Sequence, residues 1–167
     1  MTIRHAKPHD AAALLDLKRV LDRETAFMMF EAGERSATVA EQRAELETMS
    51  ARDNAAVFVA EGNDELAGYL ELDGGSFRRN LHSAYIVVGV RQRYAGRGIG
   101  TGLFAAAEQW ARPQGLRRLE LTVMVHNAAG LGLYQKLGFV IEGTRRDSLQ
   151  VDGMFVDEYA MAKILVD

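Results

Sequence analysis

The 167-residue chain contains no cysteine. Disulfides, thiolate-ligated zinc and a cysteine nucleophile are therefore excluded. Only two prolines occur, and no Pro-, Ser- or Gly-rich tract divides the chain, so a single domain over residues 1–167 is expected. Neither sign of charge dominates: 20 Lys and Arg against 23 Asp and Glu leave a formal charge of −3. A domain held to nucleic acid mainly through phosphates carries a basic excess, so no nucleic-acid partner is expected. No run approaches the ~20 apolar residues of a membrane span, and Met1-Thr2-Ile3-Arg4-His5 forms no apolar signal core. The chain reads as cytoplasmic, without a membrane partner. With 48% hydrophobic residues it is long enough to bury a substantial core.

What is present is a series of changes in period. Thr2 to Ala6 reads as a short strand stopped by Pro8. Asp10 to Asp22 carries Ala13, Leu14, Leu17, Val20 and Leu21 at helical spacing. Glu24 to Arg35 has no clean period and mixes aromatics, methionines and acids. Thr38-Val39-Ala40-Glu41 matches a capping box opening a second helix towards Met49. Ala56 to Ala60 and Leu66 to Leu72 read as strands about the turn Gly62-Asn63-Asp64-Glu65, followed by a strand over His82 to Val90. Gly98 to Ala111 turns helical, with Ile99, Leu103, Phe104, Ala107 and Trp110 on one face. Leu116 to Val125 alternates Leu119, Leu121 and Val123 inward, and Asn127 to Leu137 is helical up to Gly138. Asp152-Gly153 marks a closing hairpin. The order β-α-α-β-β-β-α-β-α-β-β implies an α/β sheet with helices on its faces.

The most informative stretch is the glycine cluster Gly96-Arg97-Gly98-Ile99-Gly100-Thr101-Gly102, between an apolar strand and an amphipathic helix. Glycines there let backbone N–H groups approach a ligand, and a helix N-terminus adds unpaired donors and partial positive charge, which suits a phosphate. Arg91, Arg93 and Arg97 add full charges. A P-loop fails, because Gly100 is followed by Thr101 without the required lysine. A dinucleotide fingerprint fits Gly100, Gly102 and Ala105, with Glu120 downstream, but begins too late to leave room for that fold.

The run from Ile86-Val87-Val88-Gly89-Val90 through Tyr94-Ala95-Gly96-Arg97-Gly98-Ile99-Gly100 resembles the acetyl-CoA-binding motif of the GNAT superfamily of N-acetyltransferases. In the usual register Gly98 and Gly100 are its glycines, and Ala95 stands where the family has Gln or Arg; Arg93, Gly96 and Gly98 satisfy the letters in another register. Leu119 to Val123, Asn127, and Leu133-Tyr134-Gln135-Lys136-Leu137-Gly138-Phe139 resemble the family's later strand and helix. Glu142 to Arg146 and Asp152 to Met161 resemble the closing hairpin of bacterial members that acetylate amines of small molecules or proteins. The resemblance implies a mixed, mostly antiparallel seven-stranded sheet flanked by about four helices. It implies acetyl-CoA as co-substrate, without a metal. Backbone groups at Val88 and Val90 would hold the pantetheine arm, and Arg93, Ala95, Gly96, Arg97, Gly98, Ile99, Gly100 and Thr101 the diphosphate. Asn127 would bond the pantetheine chain or a water. Tyr134 would protonate the departing thiolate. Dimers are common in the family, which leaves a homodimer open.

Asn127 and Tyr134 are seven residues apart, about two helical turns, so they share a face. Gly130, on that face, leaves room beside them. The blander readings are a helix N-cap for Asn127 and core packing for Tyr134. Without cysteine, direct attack by the amine on the thioester in a ternary complex is favoured over an acyl-enzyme. Glu24, Glu31, Glu71 and His82 are candidate bases, beside a water chain. Glu24, Phe27, Glu31 and Glu71 are candidate acceptor contacts, with Phe27, Met28, Met29 and Phe30 forming an apolar wall. The acceptor is read as a small primary amine, an amino acid or related compound. A protein N-terminus or lysine, a polyamine, and a non-catalytic acyl-CoA sensor are the alternatives.

Overall fold

The computed structural model describes residues 1–166. Its strands are β1 (Thr2–His5), β2 (Ala55–Gly62), β3 (Glu65–Gly74), β4 (Ser83–Val90), β5 (Arg118–Met124), β6 (Val140–Val151) and β7 (Met154–Ile164). Its helices are α1 (Ala11–Glu24), α2 (Val39–Ser50), α3 (Ile99–Ala111) and α4 (Ala128–Lys136). Local chemistry sets many of the boundaries. The Thr38 hydroxyl accepts from the Glu41 amide at 3.2 Å and the Glu41 carboxylate accepts from the Thr38 amide at 2.9 Å, closing the capping box of α2. Asn63 and Asp64, and then Asp152 and Gly153, take positive φ, which matches the twist of the two hairpins they join. The first helix begins one residue later and runs two further than its apolar spacing indicates, so Glu24 ends α1 rather than opening the irregular segment.

All seven strands form one sheet in the order β1-β2-β3-β4-β5-β7-β6. Every neighbouring pair is antiparallel except β4 and β5. Helices α1 and α2 cover one face over Val57, Val59 and Tyr69, with Leu14, Leu17, Leu21, Leu46 and Met49 buried between. Helix α3 covers the other face over Phe58, Leu70, Leu72, Ile86, Leu119 and Leu121, and Leu131, Leu133 and Tyr134 of α4 pack at the edge of that core. Burying such side chains contributes about 1.5–3 kcal/mol each. Among the described residues no helix is long and apolar enough to cross a membrane.

The feature that shapes a site is a split in the sheet. The parallel pairing of β4 with β5 covers only Ser83, Ala84 and Tyr85 against Arg118, Leu119 and Glu120. Beyond Tyr85 the two strands diverge, and the glycine cluster lies at the open end of the gap.

Candidate active site

The hydrogen-bond phase of β4 determines what lines the gap. The Arg91 N–H donates to the Ala67 carbonyl at 2.8 Å, and the Gly75 N–H donates to the Ser83 carbonyl at 2.9 Å. Odd-numbered residues of β4 therefore bond β3, and alternation turns the N–H and C=O groups of Ile86, Val88 and Val90 towards β5. Where β5 has moved away, these groups face the gap without a ladder partner. The same alternation points the Val88 and Val90 side chains to the α3 core, and Tyr85 and Val87 to the α1 face.

Four glycines of the cluster do two different jobs. Gly96 and Gly98 have φ of 72° and 77°, with open space where a Cβ would stand. They shape the loop backbone in the left-handed region that glycine reaches without strain. Gly100 and Gly102 are close-approach residues: a Cβ at 100 would lie 3.0 Å from the Leu133 side chain, and one at 102 would lie 2.5 Å from that of Ile3. Helix α3 starts on Gly98 with no side-chain cap, and its first intrahelical acceptor bond joins the Gly102 N–H to the Gly98 carbonyl at 2.9 Å. The amides of Ile99, Gly100 and Thr101 are thus left as open donors at the positive end of the helix dipole. The Ile99 side chain is buried, so only its backbone can serve a ligand. Thr101 is exposed on the first turn. Ala95 donates its N–H to the Gln92 carbonyl at 3.0 Å, closing a short 3₁₀ turn over residues 92–94. This geometry suits an anionic diphosphate.

The arginines divide. Arg97 stacks over the Tyr94 ring at 5.3 Å, beside a depression of about 420 Å³. Arg93, expected on the phosphate, is held instead on the Glu65 carboxylate. Arg91 donates to the same carboxylate at 2.8 Å and lies 3.9 Å from Glu24.

Tyr134 lies on α4, packed against the α3 side of the core. Its ring packs edge-on to Phe104 at 5.8 Å and against Phe139 at 6.2 Å. Burial pushes its phenol up to about 12, with Tyr85 a smaller second cause. Asn127 is the N-cap of α4, its Oδ1 accepting from the Gly130 N–H at 3.0 Å. The room Gly130 leaves is taken up by Asn127 itself: a Cβ at 130 would lie 2.6 Å from the Asn127 amide nitrogen. The cap leaves that nitrogen as the part of Asn127 able to serve a ligand.

On the α1 face, Phe27 stacks on His126 at 5.1 Å, so the irregular segment crosses the gap and meets the end of β5. Beneath it the Tyr85 and Thr122 hydroxyls share a hydrogen bond of 2.8 Å across the strands where they begin to separate. Glu71 sits opposite Val87 in the ladder, with the Lys18 ammonium at 2.5 Å. Burial raises its pKa, opposed in part by Lys18. The other acids read as acceptor contacts fall elsewhere. Glu24 accepts from the Gln92 N–H at 2.8 Å and so belongs to the donor side of the gap. Glu31 is exposed, its N–H donating to Glu34 at 2.8 Å. His82 is exposed at the paired end of β4, away from the opening. The side-chain contacts of Tyr85, Thr122, His126 and Glu65 escape a reading of the sequence. Only the adjacency of His126 to Asn127 signals any of them. Among the described residues no group of three or more His, Asp or Glu is arranged to hold a metal.

An open strand edge leading to an uncapped, glycine-rich helix start defines an α/β fold with a cradle for an anionic group at its split. Residues 23–139 match the family described as the acetyltransferase (GNAT) family, and the chain belongs to it. It is 34% identical over 104 residues to the L-amino acid N-acetyltransferase AaaT of Escherichia coli, a match covering 60% of this chain and 62% of that relative. An acetyltransferase of the GNAT family from Streptococcus pneumoniae has the same fold at a TM-score of 0.95 and 32% identity, over 99% of both chains. A ribosomal-protein-alanine N-acetyltransferase from Brucella melitensis superposes at 0.87 with 30% identity, covering 99% of this chain and 100% of the other.

Proposed function

We propose that the protein is an acetyl-CoA-dependent N-acetyltransferase acting on the primary amine of a small molecule, an amino acid or a close analogue. The observation that supports this reading is the gap itself: the unpaired edge of β4 at Val88 and Val90 runs towards the open amides of α3, and Tyr134 of α4 packs against the same core. The likeness to an L-amino acid N-acetyltransferase supports the acceptor class.

Acetyl-CoA, when bound, supplies a thioester open to attack by a neutral amine, with a thiolate as leaving group. The amides of Gly96 to Thr101, with the Arg97 guanidinium, bind the diphosphate. The backbone groups of Val88 and Val90 extend that grip along the pantetheine arm and orient the thioester carbonyl. The Asn127 amide nitrogen donates to the same arm. A free amine of pKa ~10.4 carries a proton at pH 7, and removing it costs about 4–5 kcal/mol. Glu71 is the base that best fits the geometry. Burial raises its proton affinity above that of an ordinary carboxylate, a rise that the paired Lys18 ammonium opposes. The Tyr134 hydroxyl holds its proton through the neutral range and delivers it to the departing sulfur.

Tyr134→Phe tests the assignment. The variant is expected to lose roughly 10²-fold in kcat, the scale of general acid catalysis, while acetyl-CoA affinity holds. Unchanged kcat, followed by thiol release from acetyl-CoA with amino acids as acceptors, removes Tyr134 from the chemistry. A wild-type protein that binds acetyl-CoA but releases no thiol with amino acids, polyamines or peptides is a sensor rather than an enzyme.

A further inference from the structure

Glu65 opens β3 at the end of the β2–β3 turn, and no catalytic or binding motif includes it. Three side chains from the segment leading into the glycine cluster converge on its carboxylate. Arg91 Nη1 donates to Oε2 at 2.8 Å, Arg93 Nη2 donates to the same oxygen, and the Tyr94 hydroxyl donates to Oε1. The Tyr94 hydroxyl, followed by the charges of Arg93 and Arg91, holds the Glu65 carboxyl below its usual range. Tyr94 is buried among Ile99, Leu103 and the sheet, so this hydroxyl bond ties the loop to the core rather than to a mobile surface chain. Glu24 adds a second tether, its carboxylate accepting the Gln92 N–H at 2.8 Å.

A lone exposed ion pair contributes little, because two long side chains must be ordered in water. Here one carboxylate collects donors from residues 91, 93 and 94, and the ordered segment ends two residues before Gly96. We propose that Glu65 is a positioning residue for the donor loop: it fixes the 91–94 turn so that the amides of Gly96 to Thr101 are already aimed before coenzyme A arrives. The inference rests on the reading of that loop as the diphosphate site. Pre-ordering of this kind raises affinity by removing the cost of ordering the loop on binding.

The direction of the effect separates positioning from charge. Deleting Glu65 releases Arg91 and Arg93 beside an anionic ligand, so charge alone would tighten binding. Loss of positioning weakens it. Calorimetric titration of the full chain with coenzyme A is expected to show Kd rising about tenfold in Glu65→Ala, with kcat at saturating substrates within about twofold of wild type. Tyr94→Phe removes one of the three donors and keeps the buried ring; it is expected to raise Kd about threefold. The double variant is expected to be no weaker than Glu65→Ala, since both changes break one network. Equal or tighter binding by Glu65→Ala, or fully additive effects in the double variant, overturns the proposal. Should Glu65→Ala fail to fold, Tyr94→Phe decides alone, and an unchanged Kd overturns it. A wild-type protein that does not bind coenzyme A overturns the reading of the loop itself.

Discussion

Burial favours the neutral form of a phenol, and at Tyr134 it lifts the pKa to about 12, above the ordinary value of ~10. An acid that must be protonated to act therefore stays competent on the alkaline side. In a pH profile measured with both substrates saturating, kcat is expected to show no descending limb below pH ~10. A fall with an apparent pKa near 9 would contradict the role of Tyr134 as the proton donor. At this scale the sequence is legible in part. The glycine cluster announces an anion loop, but letters alone do not separate Gly96 and Gly98 from Gly100 and Gly102. The latter pair answer to Leu133 and Ile3, far away in the chain. Arg93 looks like a phosphate ligand until Glu65 is found beside it, and Asn127, which reads as a cap or a ligand, is a cap with its amide nitrogen left over.

The segment between α1 and α2 has no period of its own and is held by side chains. Arg35 Nε and Nη2 donate to the Asp22 carboxylate at 2.8 and 3.1 Å, and its guanidinium lies 4.2 Å over the Phe30 ring. The Arg19 guanidinium adds a bond to the Ala37 carbonyl at 2.8 Å. The Asp22 side chain is 1% exposed and that of Arg35 13%. Removing one member of such a buried pair strands the other and costs about 3–5 kcal/mol. Asp22→Ala is expected to lower unfolding stability by that amount in urea titration. It is also expected to raise the acceptor KM while leaving the acetyl-CoA Kd near wild type, because the clamp carries the Phe27 wall and not the phosphate loop. Equal weakening of both substrates, or neither, would contradict the assignment of this segment to the acceptor. Elements with local signatures were readable: the Thr38–Glu41 box, the Asp152-Gly153 turn and the alternation of Leu119, Leu121 and Val123. A hint also lay unused in α1. Lys18 stands four residues after Leu14 and three before Leu21, a cation on the apolar stripe, and the structure gives it Glu71 as a partner.

At the scale of the whole molecule, the order of elements followed from changes in period, but the pairing of strands did not. β5 inserts between β4 and β7, and the single parallel contact stops after Tyr85–Glu120. That early stop makes the gap, and it depends on the register of strands separated by an entire helix, which local pattern does not encode. The resemblance to a family implies a mixed, mostly antiparallel seven-stranded sheet, but no order of strands within it. The central claim is that the open β4 edge and the uncapped start of α3 together grip the acyl donor. Its most direct test is a crystal structure of the protein with coenzyme A bound. The expected density has diphosphate oxygens within hydrogen-bond distance of amides between Gly96 and Gly102, the pantetheine arm beside Val88 and Val90, and the sulfur next to the Tyr134 hydroxyl. Coenzyme A lying in another depression, with these amides left to solvent, would contradict it.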